Sequence, residues 1–540
     1  MIAWALRTTI SACPAEPFRQ FSEALNPPDP RNDPDRYATV WDLLSTSRDG
    51  AVAIAAPKRN ALLYAGLRQH VTSTVAALNE RGIGRNDRVA IVLPNGPEMA
   101  SSFLAVGAGA TTAPLNPAYR KREFLFYLSD LGAKTLLLEE DSDSPARDAA
   151  NELEIPVLEL RTDASQPAGT FELVGDGPGG TCSTSGMAKY DDIALILHTS
   201  GTTSRPKIVP LSHRNVCCSA RNIRRTLGLT KEDCCLNVMP LFHIHGLMAA
   251  TLSPVSVGAS VFCTPGFNAL KFFAWLDEAR PSYYTAVPTM HQAILARASR
   301  NREVIDVISL RFIRSSSSAL PPQVMEELEE VFGVPVVEAY AMTEAAHQMT
   351  CNPLPPRERK AGTVGVSAGP EVSIMDEAGN HLKADLVGEI VIRGDNVTVG
   401  YEKNPEANKE AFTDGWFRTG DQGVMDAAGY LTITGRLKEI INRGGEKISP
   451  REVDEVIMDH PAIQQVVAFA VPHDKLGEQV AVAAVLREGM EATPQEIKEF
   501  ARVRLADFKV PKEILILEEI PKGPTGKLQR IGLAEKLGLA

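Results

Sequence analysis

The segment HTSGTTSRPK at residues 198–207 concentrates groups that can bind phosphate. Its threonine and serine hydroxyls, the backbone N–H groups around its glycine and the ammonium group of Lys207 can all contact phosphate oxygens. It is not a Walker A loop, which needs GxxxxGK followed by serine or threonine. A bare Ser/Thr/Gly run is usually a solvated loop. Because this run follows a buried strand and ends in Pro-Lys, it predicts a phosphate-binding site.

Short apolar runs alternate with helical segments around this loop. RVAIVLPNG at residues 88–96, KTLLLEE at 134–140 and ALILHTS at 194–200 predict strands. PEMASSFLAVGAGA at residues 97–110 predicts a helix with small residues. Strands that alternate with helices indicate an α/β protein with mostly parallel sheets.

Two later regions have a different pattern. Residues 362–435 contain short strands joined by turns and no long helix, which predicts a small β-barrel. Further on, Ser449, Pro450 and Glu452 suit the cap and first turn of a helix. We therefore predict an N-terminal domain and an α+β C-terminal domain, with these boundaries: 1–435, including the barrel at about 353–435, and 436–540.

The composition excludes several classes of protein. The chain has 540 residues, of which 44% are hydrophobic, and this length suggests more than one core. A formal net charge of −11 argues against a general nucleic-acid-binding surface. We expect no transmembrane helix, because no apolar run reaches the length needed to span a bilayer.

The cysteines and the two ends of the sequence favour the cytoplasm. The chain has 8 cysteines and no CxxC pair, which predicts a reducing compartment. The first 18 residues lack a basic region followed by an uninterrupted apolar one, so we predict no signal peptide, although a transit peptide stays open. The final LGLA is not a peroxisomal signal.

Several motifs in order resemble those of the adenylate-forming acyl-CoA synthetases, which include firefly luciferase and the adenylation domains of peptide synthetases. HTSGTTSRPK is similar to the family's [ST]SG[ST]TGxPKG, with Ser204 and Ile208 at two glycine positions. EAYAMTEAAH resembles YGxTE, with Ala341 in place of the glycine. The remaining matches are GWFRTGD, GRLKEIINRGGEKISPREVD and PKGPTGKLQR, and the resemblance spans about residues 37–529.

The resemblance implies a fold and a reaction. The expected N-terminal domain has two αβαβα-type subdomains plus the small β-barrel, and the α+β C-terminal domain is mobile. In the expected reaction a carboxylate attacks the α-phosphate of ATP, which gives an acyl-adenylate and pyrophosphate. The thiol of coenzyme A then takes the acyl group. ATP, Mg²⁺, coenzyme A and a small-molecule carboxylate are therefore the expected ligands.

The same motifs imply which residues bind ATP. Tyr340 would stack on adenine, and Asp421 would accept hydrogen bonds from the ribose hydroxyls with support from Arg436. The predicted ATP-binding residues are Thr199, Ser200, Gly201, Thr202, Thr203, Lys207, Ser317, Ser318, Ala319, Glu338, Ala339, Tyr340, Asp421 and Arg436.

The resemblance also implies the catalytic and CoA-binding residues. Glu344 would hold Mg²⁺, Thr343 would bond the α-phosphate, and Lys527 would bridge the substrate carboxylate and that phosphate. Lys438 matches the hinge about which the C-terminal domain would move between half-reactions. The predicted CoA-binding residues are Lys438, Gly444, Gly445 and Glu446.

The segments expected to line the acid pocket are polar. A fatty or aryl acid needs an apolar slot, whereas a small, doubly charged acid needs hydrogen-bond donors and cations. We interpret His245 and His291 as structural. The predicted acid-binding residues are His243, Arg314, Ser315, Ser316 and His347.

The segments EAYAMTEAAHQMTCNPLP and NVTVGYEKNPEANKEAF resemble the oxalate–CoA ligases of plants and fungi, so oxalate is the favoured acid. A medium-chain fatty or 4-coumarate-type acyl-CoA ligase is the alternative within the family. A luciferase-like monooxygenase and a non-catalytic nucleotide-binding protein are alternatives of other classes, and Glu344 and Lys527 argue against the second of these. The oligomeric state stays open.

Overall fold

The structure is a computed structural model that describes residues 38–45, 47–199, 206–522 and 528–540. Four β-sheets are formed within these ranges. The strands are β1 (Val52–Ala55), β2 (Leu62–Leu63), β3 (Arg88–Val92), β4 (Thr111–Pro114), β5 (Thr135–Glu139), β6 (Val157–Arg161), β7 (Glu172–Val174), β8 (Ile193–Thr199), β9 (Lys207–Ser212), β10 (Cys234–Asn237), β11 (Ser260–Cys263), β12 (Tyr283–Ala286), β13 (Phe312–Ser316), β14 (Val336–Met342), β15 (His347–Cys351), β16 (Val366–Ser367), β17 (Glu371–Met375), β18 (Gly388–Arg393), β19 (Phe412–Thr413), β20 (Trp416–Met425), β21 (Leu431–Arg436), β22 (Ile441–Arg443), β23 (Glu446–Ile448), β24 (Ile463–His473), β25 (Gly477–Leu486) and β26 (Glu513–Ile516).

Helices connect these strands, and many of them begin with a proline. Proline suits the first helical position because its φ angle is already helical and its missing N–H has no partner there. The α-helices are α1 (Val40–Ser45), α2 (Tyr64–Glu80), α3 (Pro97–Gly107), α4 (Lys121–Leu131), α5 (Pro145–Glu152), α6 (His213–Thr226), α7 (Ser253–Val255), α8 (Phe272–Ala279), α9 (Pro288–Ala298), α10 (Arg302–Ile305), α11 (Pro322–Phe332), α12 (Pro405–Ala411), α13 (Pro450–Met458), α14 (Pro494–Arg502) and α15 (Leu533–Lys536). Tighter or wider turns are a π-helix at His245–Leu252 and 3₁₀-helices at Ser299–Asn301, Thr343–Ala345 and Leu437–Glu439.

The first sheet has seven strands in the order β7-β6-β5-β3-β4-β8-β9. Its inner pairs are parallel, and β7 and β9 add antiparallel edges. Strands β3 and β5 are nearly continuous apolar runs because helices cover both faces of a parallel sheet. The segment between β8 and β9 contains the predicted phosphate loop.

The second sheet has nine strands in the order β16-β15-β14-β13-β12-β10-β11-β1-β2. Strands β12, β13 and β14 are parallel neighbours, so their carboxyl ends meet at one edge. Ligands of open α/β sheets bind at such an edge. The largest apolar core contains residues of both sheets and of α2, α3 and α6, which fixes the two sheets relative to each other.

The remaining sheets are smaller and mostly antiparallel. The third contains β17 to β21, and the fourth contains β22 to β26 with β26 parallel to β25. The α/β architecture, with a large N-terminal part and a smaller C-terminal part, confirms the predicted fold class. Strand β16 pairs with β15, so the antiparallel unit begins with β17 at Glu371.

The helix predicted near Ser449 forms, but its cap differs from the prediction. Ser449 occupies the N-cap position of α13 without capping it, and its hydroxyl donates to the carbonyl of Thr434 instead. Glu452 pairs with Lys509 at 2.6 Å rather than closing a capping box. Contacts to neighbouring elements therefore outcompete the local motif. No helix of the described ranges is long and apolar enough to cross a membrane.

Candidate active site

A cavity of about 370 Å³ lies where the carboxyl ends of β13 and β14 face β20, β21 and the C-terminal helix α13. Its walls contain most of the described residues predicted to bind ATP. These are Ser317, Ser318, Ala319, Glu338, Ala339, Tyr340, Asp421 and Arg436. The C-terminal part contributes Arg451, Asp454, Leu528 and Arg530.

Asp421 is the most strongly held carboxylate of this cavity. Because β20 and β21 are antiparallel neighbours, Asp421 lies directly opposite Arg436, whose Nε donates to Asp421 Oδ1 at 2.7 Å. The hydroxyl of Tyr340 donates to the other carboxylate oxygen. Asp421 raises the pKa of Arg436, and burial followed by Asp421 raises the pKa of Tyr340. These two contacts fix the position of the carboxylate at the cavity wall.

Glu338 is a second carboxyl group of the cavity, and it is nearly isolated from solvent. Its Oε1 accepts a hydrogen bond from the N–H of Leu320 at 2.8 Å, and its Oε2 has no protein partner in the described chain. Burial raises the pKa of Glu338 to about 7, and Arg451 of the C-terminal domain opposes this rise. A buried, half-satisfied carboxyl group is suited to accept a hydrogen bond from a ligand.

The phosphate-binding region is only partly described. Thr199 ends β8 and lies opposite Lys207, which starts β9, so the two residues mark the base of the predicted loop. Outside the described residues lie Ser200, Gly201, Thr202, Thr203 and Lys527. Their roles stay predictions.

Glu344 lies in the 3₁₀-turn after β14 and is 6% exposed. Its Oε1 accepts a hydrogen bond from the hydroxyl of Tyr401 at 2.9 Å, and burial raises the pKa of its carboxyl group. In the described ranges no three His, Cys, Asp or Glu side chains cluster as a metal site. This fits Mg²⁺, which takes one or two protein carboxylates and completes its shell with phosphate and water oxygens. Glu344 is the residue that would hold it.

Arg314 is fully buried at the centre of a polar cluster behind the cavity. Its Nη1 lies 3.4 Å from both His245 Nε2 and Thr285 Oγ1, and its Nη2 donates to Gln348 Oε1 at 3.1 Å. The Nε atom has no partner, and no ion pair involves Arg314 among the described residues. Burial lowers the pKa of the guanidinium. This cation is therefore surrounded by neutral groups only.

His245 connects this cluster with the cavity. Its Nδ1 lies 3.0 Å from the hydroxyl of Ser317, which lines the cavity, and its Nε2 lies 2.6 Å from Thr285 Oγ1. The ring stacks on His347 with 5.0 Å between centroids. The sequence interpretation of His245 as structural therefore misses its place between the cavity and Arg314. His291, in contrast, is buried with its Nδ1 3.4 Å from the hydroxyl of Tyr284, as a structural histidine would be.

The backbone around this cluster is strained. Ser317, Ala346 and His347 have φ angles of 78°, 47° and 104°, a region that costs a non-glycine residue on the order of 1–3 kcal/mol. Hydrogen bonds hold the strained segment, among them Ser219 Oγ to Ala346 O at 2.5 Å. A π-helix also begins at His245, and such turns are frequent at functional sites. The surrounding structure thus maintains a shape that the local chain disfavours.

The structure separates the predicted acid-binding residues. Side chains alternate along β13, and Ile313 packs in a different core from Phe312, so Ser315 lies on the face opposite Arg314. Ser316 donates its hydroxyl to Ala339 O at 2.8 Å. His243 is half-buried beside Phe242, with ring centroids 4.9 Å apart. Arg314 and His347 share the cluster, whereas Ser315 does not reach it.

The predicted CoA-binding residues lie away from the cavity in this arrangement. Lys438 is exposed in the turn after β21, and the turn between β22 and β23 is exposed at Gly444, Gly445 and Glu446. Leu528 and Arg530, next to the predicted catalytic lysine, line the cavity instead. The C-terminal part thus contributes Leu528 and Arg530 to the cavity wall.

Comparison with known proteins identifies the family. The model for AMP-binding enzymes matches residues 31–402, and the model for the AMP-binding enzyme C-terminal domain matches residues 452–527. The chain belongs to the AMP-binding enzyme family. The ATP-bound crystal structure of MatB from Rhodopseudomonas palustris is similar, with a TM-score of 0.83 and 28% identity over 93% of this chain and 99% of that one.

Two relatives of known activity are oxalate–CoA ligases. The protein from Arabidopsis thaliana is 46% identical over 462 residues, which cover 84% of this chain and 89% of that protein. The protein from Saccharomyces cerevisiae is 42% identical over 478 residues, which cover 84% and 87%. The protein is therefore an AMP-forming acid–CoA ligase that acts through an acyl-adenylate, with ATP and coenzyme A as substrates and the Mg²⁺ requirement typical of its family.

Several residues of the site carry no signal in the motifs. His245 resembles a structural histidine in sequence, and Thr285 lies in apolar surroundings that suggest a core position. Tyr401 contacts Glu344 from 57 positions along the chain. The only available signal was the polar character of HIH and EAAHQM, which points to a polar pocket without showing which atoms meet.

Proposed function

We propose that this ligase activates oxalate and converts oxalate, ATP and CoA to oxalyl-CoA, AMP and pyrophosphate. The observation that carries the proposal is the fully buried Arg314, which has no ionic partner in the described chain. Leaving a buried charge unpaired is costly, typically several kcal/mol. A ligand carboxylate would supply the missing negative charge, and the oxalate–CoA ligase relatives support the same acid.

The two carboxylates of oxalate are directly bonded, so both must lie within a short distance of the reacting phosphate. Ser317 lines the cavity, His245 lies behind it, and Arg314 lies behind His245. We infer that one carboxylate faces the α-phosphate while the second accepts hydrogen bonds from His245 and His347. Arg314, which lies directly behind His245, would stabilise the second carboxylate by electrostatic attraction.

The first half-reaction brings anions together and needs cations where charge accumulates. In the proposal, Lys207 and the phosphate loop bind the phosphates, and Asp421 accepts the ribose hydroxyls. Thr343 bonds the α-phosphate, and Lys527 bridges it to the attacking carboxylate. Mg²⁺, held by Glu344, would neutralise charge on the phosphate oxygens.

The second half-reaction requires access for a thiol. The predicted hinge at Lys438 would let the C-terminal domain rotate, which would exchange the lysine loop for the turn at Gly444, Gly445 and Glu446. Glycines in that turn permit close approach of the pantetheine arm. The exposure of this turn leaves it free to take part in such an exchange.

The test is pyrophosphate release by the purified enzyme with ATP, Mg²⁺ and CoA and one of five acids: oxalate, malonate, acetate, octanoate or 4-coumarate. We expect kcat/KM for oxalate to exceed that for every other acid by at least about 100-fold, since the monoacids leave a buried charge unpaired and the extra carbon of malonate changes the distance between its two carboxylates. Turnover of octanoate or 4-coumarate at a comparable rate would refute the oxalate proposal and favour a fatty or aryl acid. Strict dependence of AMP formation on both acid and CoA, without O₂, would exclude a luciferase-like monooxygenase.

A further inference from the structure

Tyr401 touches two charged residues of the nucleotide site at once. Its hydroxyl donates to Glu344 Oε1 at 2.9 Å, and the ammonium group of Lys207 lies 4.3 Å from the centroid of its ring. Only 8% of the tyrosine is exposed. The predicted site residues do not include it, although it lies in the segment NVTVGYEKNPEANKEAF.

Backbone hydrogen bonds on both sides of Tyr401 connect it with Glu344 and with the residue after Lys207. The N–H of Thr398 donates to the carbonyl of Glu344 at 2.7 Å, and the N–H of Glu402 donates to the carbonyl of Ile208 at 3.0 Å, directly after Lys207. Tyr401 lies between these two attachments. Its position relative to both charges is therefore fixed by the backbone and not only by its own side chain.

Asn408 of α12 fixes the backbone of Tyr401 itself. The N–H of Tyr401 donates to Asn408 Oδ1 at 2.7 Å, and Asn408 Nδ2 donates to the carbonyl of Tyr401 at 2.8 Å. The preceding Gly400 has a φ of 141°, and a Cβ there would lie 2.9 Å from Asn408 Oδ1. A side chain at position 400 would therefore disturb this clamp.

Lys207 and Glu344 carry opposite charges and are close enough for the lysine to oppose the rise in the carboxyl pKa. Within the described part of the chain they nevertheless form no ion pair. The lysine rests on the face of the tyrosine ring, a favourable cation–π contact, and the carboxylate receives the hydroxyl at the ring's edge. Each charged group thus makes its direct contact with the tyrosine and not with the other charged group.

We propose that Tyr401 is a positioning residue that holds Lys207 and Glu344 apart. An ion pair between them would occupy the ammonium group needed by the phosphates and the carboxylate needed by Mg²⁺. The tyrosine keeps Lys207 available to phosphate oxygens and leaves the second oxygen of Glu344 available to the metal ion. This inference concerns the nucleotide half of the site and is independent of which acid the enzyme uses.

The chain contains a matched control tyrosine outside the site. Tyr430 is also 8% exposed, its hydroxyl donates to the carbonyl of Glu358 at 2.7 Å, and the ammonium group of Lys360 lies 4.2 Å from its ring centroid. The same substitutions at positions 401 and 430 therefore each remove a hydroxyl hydrogen bond and a ring–ammonium contact, with a carboxylate as the acceptor at position 401 and a backbone carbonyl at position 430. If the variants at position 401 differ from those at position 430, the difference is caused by the location of Tyr401 and not by the loss of a buried tyrosine in general.

The experiment measures binding of a non-hydrolysable ATP analogue by calorimetry, with and without Mg²⁺, in Tyr401→Phe, Tyr401→Leu, Tyr430→Phe and Tyr430→Leu. Tyr401→Phe keeps the ring under Lys207 and loses the hydroxyl on Glu344. We expect its half-saturating Mg²⁺ concentration to rise about tenfold, the usual effect of losing a hydrogen bond to a charged group, with little change in metal-free affinity. Tyr401→Leu loses both contacts, so its metal-free affinity should also fall, by at least about threefold.

The Tyr430 variants and a measurement of unfolding serve as controls. The Tyr430 variants should bind the analogue and Mg²⁺ as the wild type does, and urea unfolding should show that all four variants are folded. In Tyr401→Phe, KM values for the acid and CoA should stay unchanged. A wild-type Mg²⁺ requirement in Tyr401→Phe, or equal shifts at positions 401 and 430, would overturn the proposal. Unchanged metal-free affinity in Tyr401→Leu would overturn its lysine part.

Discussion

Asp421 of the cavity and Arg314 of the polar cluster are both buried charged residues, but they differ in whether an oppositely charged side chain contacts them. Asp421 is opposed by Arg436 at 2.7 Å and receives the hydroxyl of Tyr340. Among the described residues, the hydrogen-bond partners of the Arg314 guanidinium are the neutral side chains of His245, Thr285 and Gln348. One charge is compensated by the protein itself, whereas the other is solvated by neutral groups and lacks a counter-charge.

The difference indicates how each site selects its ligand. The contacts to Arg436 and Tyr340 orient the carboxylate of Asp421, which in the proposal presents its oxygens to the ribose hydroxyls of ATP. An unpaired cation favours a ligand that brings a full negative charge. The cation was already removed from water when the protein folded, so its desolvation costs no further free energy on binding. We therefore expect substitutions in the two regions to have opposite effects on stability, with separate effects on the two substrates.

The largest effect is expected for Arg314→Met, which removes the unpaired charge and keeps most of the side-chain volume. In the oxalate proposal kcat/KM for oxalate should fall about 1,000-fold, since a carboxylate loses its buried cation. The free energy of unfolding should stay the same or rise, because an uncompensated buried charge disappears. Steady-state kinetics and urea unfolding measure the two quantities. A fall of less than tenfold, or a clear loss of stability, would contradict the comparison.

Arg311 on the preceding turn is the matched control, because it has the partner that Arg314 lacks. Its Nη1 pairs with Asp233 at 2.6 Å, and the Asp233 side chain is 2% exposed. Arg311→Met leaves that carboxylate buried without a cation, so the free energy of unfolding should fall by about 2 kcal/mol, less than for a fully buried pair because Arg311 is partly exposed. Kinetic constants per folded molecule should not change.

A smaller effect is expected for Asp421→Asn, which removes the charge that compensates Arg436. KM for ATP should rise about 10- to 100-fold, the range for lost hydrogen bonds to a charged group, while KM for oxalate stays within a factor of about two. Asp426→Asn, at the end of the same strand, is the control because Asp426 pairs with Lys360 at 2.7 Å outside the cavity. An equal rise in KM for both substrates would show that the strand, not the charge, had been disturbed.

The pH dependence of stability tests Glu338, the third buried charge of the region. Its folded pKa of about 7 exceeds the ordinary value of 4.5, so the folded protein binds a proton that the unfolded chain releases. This contribution to stability is present at low pH and is lost as the pH rises through 7, by about 3 kcal/mol in full. The substitution Glu338→Gln removes this pH-dependent contribution, because an amide does not titrate in this range.

Urea unfolding at pH 5 and pH 8 measures this effect. The wild type should lose stability between the two pH values relative to Glu338→Gln, and the two proteins should converge below pH 5. Parallel behaviour of both proteins across the range would mean that Glu338 is ionised in the folded state at neutral pH. In that case burial would not decide its protonation.

The smallest effect is expected for Gln292→Ala at the contact between the domains. Its Nε2 donates to the carbonyl of Gln464 at 3.0 Å, and a neutral hydrogen bond of this kind contributes about 1 kcal/mol. We expect the rate of pyrophosphate formation to fall at most about fivefold, with transfer of the acyl group to CoA unchanged. A loss above tenfold would mean that this one contact controls the domain arrangement.

Much of the fold could be predicted because its signals are local. Apolar runs such as ALILHTS predict buried strands wherever they occur, and the order of motifs resembles one family. The motifs also predict the nucleotide-binding residues, and three of these, Ser317, Tyr340 and Asp421, line one cavity. The cap of α13 could not be predicted, because Ser449 finds a partner in another element.

The sequence by itself determined the class of reaction and predicted residues that line one cavity, since each motif carries its chemistry in a short segment. Only the tertiary structure decided which of the polar side chains meet. Strand alternation separates Ser315 from Arg314, and Tyr401 reaches Lys207 and Glu344 from a distant segment. Within the described ranges Arg314 has no counter-charge, and this too depends on the assembled sheet, because the neighbours of Arg314 come from different structural elements.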